Sequence, residues 1–441
     1  MCARVAGLGT FPHTGMIHVG GIGLPAAGTE TALERGALVA RRCLGTLLAA
    51  AFPISSPAFA QAQPETSAQP AATKPATPAP APAPSLGPSM TGPLHVNSDP
   101  LHADGGPFGP IYISGVISGL GLSQSNHGRS EPSSRADLSN GMAIVQTTQG
   151  VVQFYAQAGA YSLPSLGVRY FKAKHWVDDS FGPLPVAYVK IVPSSDFNVQ
   201  VGKLYTLQGA ENLFTFQNLN IERGLLWNQT ASVNRGVQAN FAHGPLSVSL
   251  SVNDGFYSKK YNWLSGVIGY ALSSKDSITL GAAANLGHTN KSNFTTANTL
   301  NNGQLYFLSW THNDGPWTIQ PYVQLEHVSQ DESLGIMHSA SSYGAAIIGK
   351  YSFNDQWALA ARAEYIGSSG SNSNGAPSLI YGPGSGAWSF TLTPTWQRRI
   401  WFARVEGSYV HAHGTTDGFA FGVNGDKHSQ IRGLIEAGIV F

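Results

Sequence analysis

The chain has 441 residues, of which only 11% are charged, against about 25% in an ordinary soluble domain. Its net charge of +1 argues against a nucleic-acid partner. No stretch after residue 60 approaches the ~20 apolar residues of a membrane-spanning helix. Gly contributes 51 residues, and short alternating segments separated by Gly, Asn and Ser are the composition of a β-barrel.

The two cysteines, Cys2 and Cys43, fall in a segment expected to be removed, which leaves neither a disulfide framework nor a catalytic thiol. Residues 38–60 read as a secretory signal. Arg41 and Arg42 are its charged region, Leu44 to Phe52 its apolar region, and Ala58-Phe59-Ala60 its cleavage site. Residues 1–37 carry no clear pattern and read as lying upstream of the true start. Ala40-Arg41-Arg42 before Cys43 is not a lipoprotein box, so no lipid anchor is expected. Residues 61–110 are rich in Pro and Ala, with Pro64, Pro70, Pro75, Pro78, Pro80, Pro82, Pro84 and Pro88 spread through them. Such a stretch has too little apolar area to fold and too many prolines to pair as strand. It is expected to be a disordered periplasmic tail, with contact to the cell wall or a partner as the alternative.

From Ile111 the pattern predicts sixteen strands, at 111–123, 141–148, 151–161, 186–192, 197–205, 233–242, 246–253, 263–272, 277–287, 303–312, 317–327, 341–352, 356–366, 386–396, 400–411 and 430–441. Tight turns such as Pro193-Ser194-Ser195-Asp196, His243-Gly244-Pro245 and Asn354-Asp355 carry hairpin residues. They alternate with loops at 124–140, 162–185, 206–232, 254–262, 288–302, 329–340, 367–385 and 412–429. This rhythm predicts an all-β fold: a closed antiparallel transmembrane barrel over 111–441, with short periplasmic turns and long external loops. An even strand count puts both ends on the periplasmic side. The closing strand places Ile431, Gly433, Ile435, Ala437, Ile439 and Phe441 on one face, and Arg432, Leu434, Glu436, Gly438 and Val440 on the other. Its terminal Phe441 resembles the signal that the barrel-assembly machinery of bacterial outer membranes reads.

A soluble sandwich would alternate too. Two features favour the membrane. Phe197, Trp317, Trp357, Trp396, Trp401 and Phe441 sit beside the short turns, as an aromatic girdle would. The polar faces also carry charge at mid-strand: Lys190, Glu326, Lys350, Arg362, Glu364, Arg404, Glu406, Arg432 and Glu436. Ionised groups are costly in a packed core, so a water-filled lumen is expected to solvate them.

The segment Gly202-Lys203-Leu204-Tyr205-Thr206-Leu207-Gln208-Gly209-Ala210-Glu211, followed by Asn218, Asn220 and Arg223-Gly224, resembles the motif of the OmpL-like beta-barrel porins. There a strand ends in Gly-Lys-aromatic, a Thr-Pro-x-Gly-x-Glu stretch follows, and an Asn-rich loop leads to the next strand. Leu207 stands where that family usually has Pro, and Leu204 where an aromatic is common. The layout of 111–441 fits as well. Membership implies an outer-membrane channel without naming its solute.

The motif opens loop 206–232, the third long loop, which is expected to fold inward and narrow the lumen. It holds Glu211, Glu222 and Arg223. Arg362, Arg404 and Arg432 are expected on the inner wall, and two arrangements are open. In the first, acid on the loop is separated from base on the far wall by the lumen, giving a transverse field that orders dipolar solutes. Alternatively the arginines pair with Glu364, Glu406 and Glu436 beside them. Near balance of charge implies weak ion selectivity in both. His411-Ala412-His413 lacks a third metal ligand and reads as solvated. Asp178-Asp179 reads as a hydrated turn. No Gly-x-Ser-x-Gly marks a nucleophile.

The sequence therefore predicts a porin admitting small hydrophilic solutes, with no catalytic residue, metal or cofactor. Its partners would be outer-membrane lipid, lipopolysaccharide and the assembly machinery, and a homo-oligomer is left open. A structural or polymer-export barrel is the first alternative, a barrel enzyme the second.

Overall fold

The computed structural model describes residues 94–441 apart from Ser98. The expected signal segment, and the tail as far as residue 93, lie outside the described residues. A short strand β1 (Leu101–Asp104) precedes sixteen long ones. These are β2 (Pro110–Gln124), β3 (Ser134–Thr147), β4 (Val152–Tyr161), β5 (Val186–Ile191), β6 (Phe197–Tyr205), β7 (Val233–His243), β8 (Leu246–Asn253), β9 (Trp263–Ala271), β10 (Asp276–Asn285), β11 (Gly303–Asp314), β12 (Trp317–Val328), β13 (Ala340–Ser352), β14 (Trp357–Ser368), β15 (Gly386–Arg398), β16 (Trp401–His413) and β17 (Ser429–Val440).

Each of these strands pairs antiparallel with the next, and β17 pairs back onto β2, from Arg432 opposite Gln124 to Val440 opposite Val116. The sixteen strands thus form a closed barrel in which every backbone edge is satisfied, as a lipid environment demands. Short turns gather at one end, with the beginning of β2 and the end of β17. Long loops gather at the other.

The alternating pattern sorts side chains by face. On β8, Leu250 and Val252 are each 52% exposed outward, while Ser251 and Asn253 are buried inward. On β15, Phe390 and Leu392 face out, and Ser389, Thr391, Thr393 and Thr395 are buried inside. Trp317, Trp357 and Trp401 are exposed beside the short turns, where amphipathic rings suit a lipid–water interface.

Two expectations need correction. β3 begins at Ser134, not 141, because residues 134–140 pair with 118–123 across a register shift between Ser118 and Gly119. That stretch is polar, with no hydrophobic alternation to reveal it. The segment expected to be a disordered tail through 110 is seated on the barrel from Leu94. Leu94 packs on a cluster that includes Met142, Ile144, Phe402 and Val440. The His95 amide donates to Gln397 Oε1 at 2.6 Å, and Gln397 Nε2 donates back to the His95 carbonyl at 2.9 Å. β1 then pairs with Pro110–Ile113 of β2. The loop 162–185 also contains a short helix, α1 (Ala173–Asp179).

The two faces of β8 give a direct prediction. Leu250→Arg should destabilise the lipid-reconstituted barrel by about 2–4 kcal/mol, the cost of a cation at the membrane mid-plane. Ser249→Arg, on the inner face, should unfold at the wild-type denaturant concentration. Equal loss at both sites would reject the face assignment.

Candidate functional site

Loop 206–232 leaves β6 and folds into the barrel. Most of its residues are buried. Its shape comes from local hydrogen bonds. The Asn212 amide donates to Asn218 Oδ1 at 2.7 Å, and Asn218 Nδ2 donates to the carbonyls of Asn212 and Phe214. Between them, Thr215–Gln217 forms a single 3-10 turn. Asn is suited to this work because one amide both donates and accepts. The Arg223 guanidinium ties the loop to its neighbour, donating to the carbonyls of Leu213 and Pro164 and to Ser165 Oγ. Leu213, Phe214, Phe216 and Trp227 bury against the inner wall around Tyr155, Tyr161 and Phe402.

The wall meets the loop with charge. Arg362 Nη1 donates to Glu211 Oε1 and to the Glu222 carbonyl, both at 2.7 Å, and its Nε lies 3.1 Å from Glu364 Oε2. Arg432 Nη1 donates to Glu222 Oε1 at 2.7 Å and to the Ser165 carbonyl at 2.8 Å. Arg404 pairs with Glu436 on the adjacent strand and donates to the Asn218 carbonyl at 3.1 Å. Among the described residues no guanidinium is in ion-pair contact with Glu406. It accepts from the amides of Ile221 and Glu222 and from Thr393 Oγ1. Glu436 accepts from Thr215, Ser118 and Asn140 side chains. Every member of this set is at most 6% exposed. Gly224 permits the close approach: a Cβ there would lie 2.0 Å from Glu364 Oε1.

A family model described as "Putative beta-barrel porin-2, OmpL-like" matches residues 110–441. The chain belongs to this porin family. Among solved structures, in-vitro folded OmpT, an outer membrane protein of Vibrio cholerae, is similar at 12% identity and TM-score 0.52. The match covers 78% of this chain and 100% of that one. The outer membrane channel DcaP of Acinetobacter baumannii is similar at 9% identity and TM-score 0.50, over 75% of this chain and 97% of that one. At these identities the likeness is one of fold. No curated protein matches the chain in sequence. Family and fold together support an outer-membrane channel role.

In this OmpL-like porin the sequence-predicted charges come together, but not as expected. Glu211, Glu222 and Arg223 do not face Arg362, Arg404 and Arg432 across open water. Glu211 and Glu222 touch that wall, and Arg223 bonds to Leu213, Pro164 and Ser165 of the loops, so no transverse field spans a gap between them. Nor does open water solvate most of the expected inner-face charges: Glu326, Arg362, Glu364, Arg404, Glu406, Arg432 and Glu436 are buried, and only Lys190 and Lys350 of that set are half-buried. Pairing with a neighbouring strand carboxylate holds for Arg362 with Glu364 and for Arg404 with Glu436, whereas Arg432 reaches the loop carboxylate Glu222 instead. Thr215, Asn140, Ser118 and Thr393 also serve the site. Sequence alone gave no signal for their roles beyond the polar inward face. His411 and His413 project from the outer face beside Trp388 and Tyr365. Asp179 pairs with His175 at 2.6 Å. Among the described residues no group of three or more His, Cys, Asp or Glu is placed to hold a metal ion.

Arg362→Ala strands two buried carboxylates, so it should destabilise the folded barrel by about 3–5 kcal/mol. Arg398→Ala, on an exposed side chain, should leave the denaturant midpoint where it was. Equal midpoints for the two variants would show that the network carries no stability.

Proposed function

We propose that this porin admits small hydrophilic solutes by passive diffusion and that loop 206–232 narrows its lumen. One observation supports the constriction above the others: on β6 to β12 the inner face carries half-exposed residues near the short turns and buried ones at mid-height. Near the turns, Asn198, Gln200, Asn240, Ser249, Thr279 and Gln320 keep contact with solvent. Further from the turns, Ser251 on β8, Ser265 on β9 and Tyr322 on β12 are buried. Loop 206–232 lies at that level against β12 to β17, where Glu211, Glu222, Arg223 and the wall residues Arg362, Glu364, Arg404, Glu406, Arg432 and Glu436 hold it. In this reading they set the cross-section of the path by fixing where the loop sits. The short turns face the periplasm and the long loops face outward, as in bacterial barrels generally. Phe441 serves as the assembly signal.

A second reading is a structural barrel closed by its own loops, and the buried mid-height ring favours it. Planar-bilayer recording of the full chain separates the two. Discrete conductance steps are expected from the wild-type protein, and larger steps after loop 206–232 is shortened, because the loop then occupies less of the conducting section. A folded barrel without steps, which begins to conduct only when the loop is cut back, would establish the closed barrel. Orientation has its own check. A peptide tag inserted at Ser373, in the long loop after β14, should be labelled on intact cells, and one at Asn354 should not.

A further inference from the structure

The charges of the inner wall divide into two sets. Those at mid-height are buried, and there Arg362, Arg404 and Arg432 are ion-paired with Glu211, Glu364, Glu436 and Glu222. The set that water reaches contains Lys190 on β5 and Lys350 on β13, both half-buried on the inner face. Lys190 stands opposite Gln153 and Gln200, and Lys350 opposite Thr318 and Ala360. No hydrogen-bonded or ion-paired partner is found for either ammonium group among the described residues. The inner-face carboxylates Glu326, Glu364, Glu406 and Glu436 are buried, as are Glu211 and Glu222 of the loop; Asp137, half-buried at the long-loop end of β3, accepts from Tyr170 Oη and the Ala173 amide. Acids at this end of the barrel sit on turns or outward positions and several have their own cations: Asp196 with His243, Asp276 with His312, Asp314 with Lys275.

Topology places the two lysines against each other. β5 is the fourth strand of the closed ring and β13 the twelfth, so eight strand steps separate them in either direction. Both lie near the short-turn ends of their strands, since β5 stops at Ile191 and β13 at Ser352. Amides and hydroxyls of Gln200, Asn240, Ser249, Thr279 and Gln320 line the wall between them. Lysine is a point charge on a flexible stem that reaches into water while its methylenes stay on the wall. Cations projecting into a lumen with low-dielectric walls raise the local concentration of anions, and rings of Lys or Arg mark anion-passing pores.

We propose that Lys190 and Lys350 form an anion-attracting chamber at the short-turn end of the lumen, which gives this channel a preference for small oxyanions such as carboxylates and phosphate over cations. The proposal rests on the channel reading above. Its polarity is set by the charges that water reaches, not by the larger number buried beneath the loop.

The test is the reversal potential of the full chain in a planar bilayer under a potassium chloride gradient, repeated with potassium acetate and potassium phosphate. Wild-type protein should show anion preference in all three salts. Lys190→Gln with Lys350→Gln should lose that preference, and Lys190→Glu with Lys350→Glu should reverse it. Lys259→Gln, on the exposed loop 254–262, should leave the potential unchanged. Potassium preference in the wild type, or a Glu double variant that conducts with the wild-type potential, overturns the inference while the channel stands. A folded wild-type barrel that gives no steps overturns the channel reading and the chamber with it.

Discussion

The interior of this barrel is organised by the cost of burying charge. A guanidinium or carboxylate removed from water loses several kcal/mol of solvation, and only close, well-aligned partners return it. Arg362, Arg404 and Arg432 project from β14, β16 and β17 into a space that a loop also occupies. Their donors cannot be satisfied by the wall alone, since Glu364 and Glu436 supply only part of the acceptors. Glu211, Glu222 and the carbonyls of Asn218, Glu222, Ser165 and Val168 supply the rest. A shift of the loop by one residue would leave at least one ion unpaired. The loop is thus held in register by desolvation, and the hydrophobic contacts of Phe214, Phe216 and Trp227 add area to a position already specified.

The barrel itself follows from a simpler rule. In lipid every backbone N–H and C=O must find an internal partner, so a sheet that spans must close. Closure leaves an outward face that meets lipid and an inward face that need not. Leu250 beside Ser251 and Phe390 beside Ser389 are that division at the level of neighbouring residues. It also explains how so many Ser and Thr residues are tolerated at buried positions. They face a polar interior, and several act directly there, as Thr393 does for Glu406 and Ser408 for Glu222.

Alternation made the strands readable because a period of two has few competing explanations over nine to thirteen residues. It failed where the outward face is not apolar: residues 134–140 form strand through pairing with β2, and nothing in their own pattern shows it. The inward direction of Arg362, Arg404 and Arg432 was readable for the same reason as the strands. What they touch was not, because a strand pattern says which face a residue takes and nothing about what fills the space beyond. The likeness of Gly202 to Gly224 to a porin motif located the loop, yet its contacts join residues 140 to 220 positions apart. The seating of Leu94 and His95 on Phe402 and Gln397 is of that kind too: a single apolar residue after a run of prolines carries no sign of a distant pocket.

Charge counting misleads for a related physical reason. Lys plus Arg number 25 and Asp plus Glu 24, so the chain as a whole looks neutral and predicts little selectivity. A permeating ion does not sample the whole chain. Interactions in water are screened over roughly 8–10 Å at ordinary salt, and paired charges in contact cancel at any greater distance. The ion therefore responds to the few groups that share its water. In this barrel Glu364, Glu406 and Glu436 of the inner wall are buried against the loop, while two lysines near the short turns are only half-buried. A nearly balanced composition is compatible with a biased path, and the proposed bias rests on loop 206–232 packing against the wall.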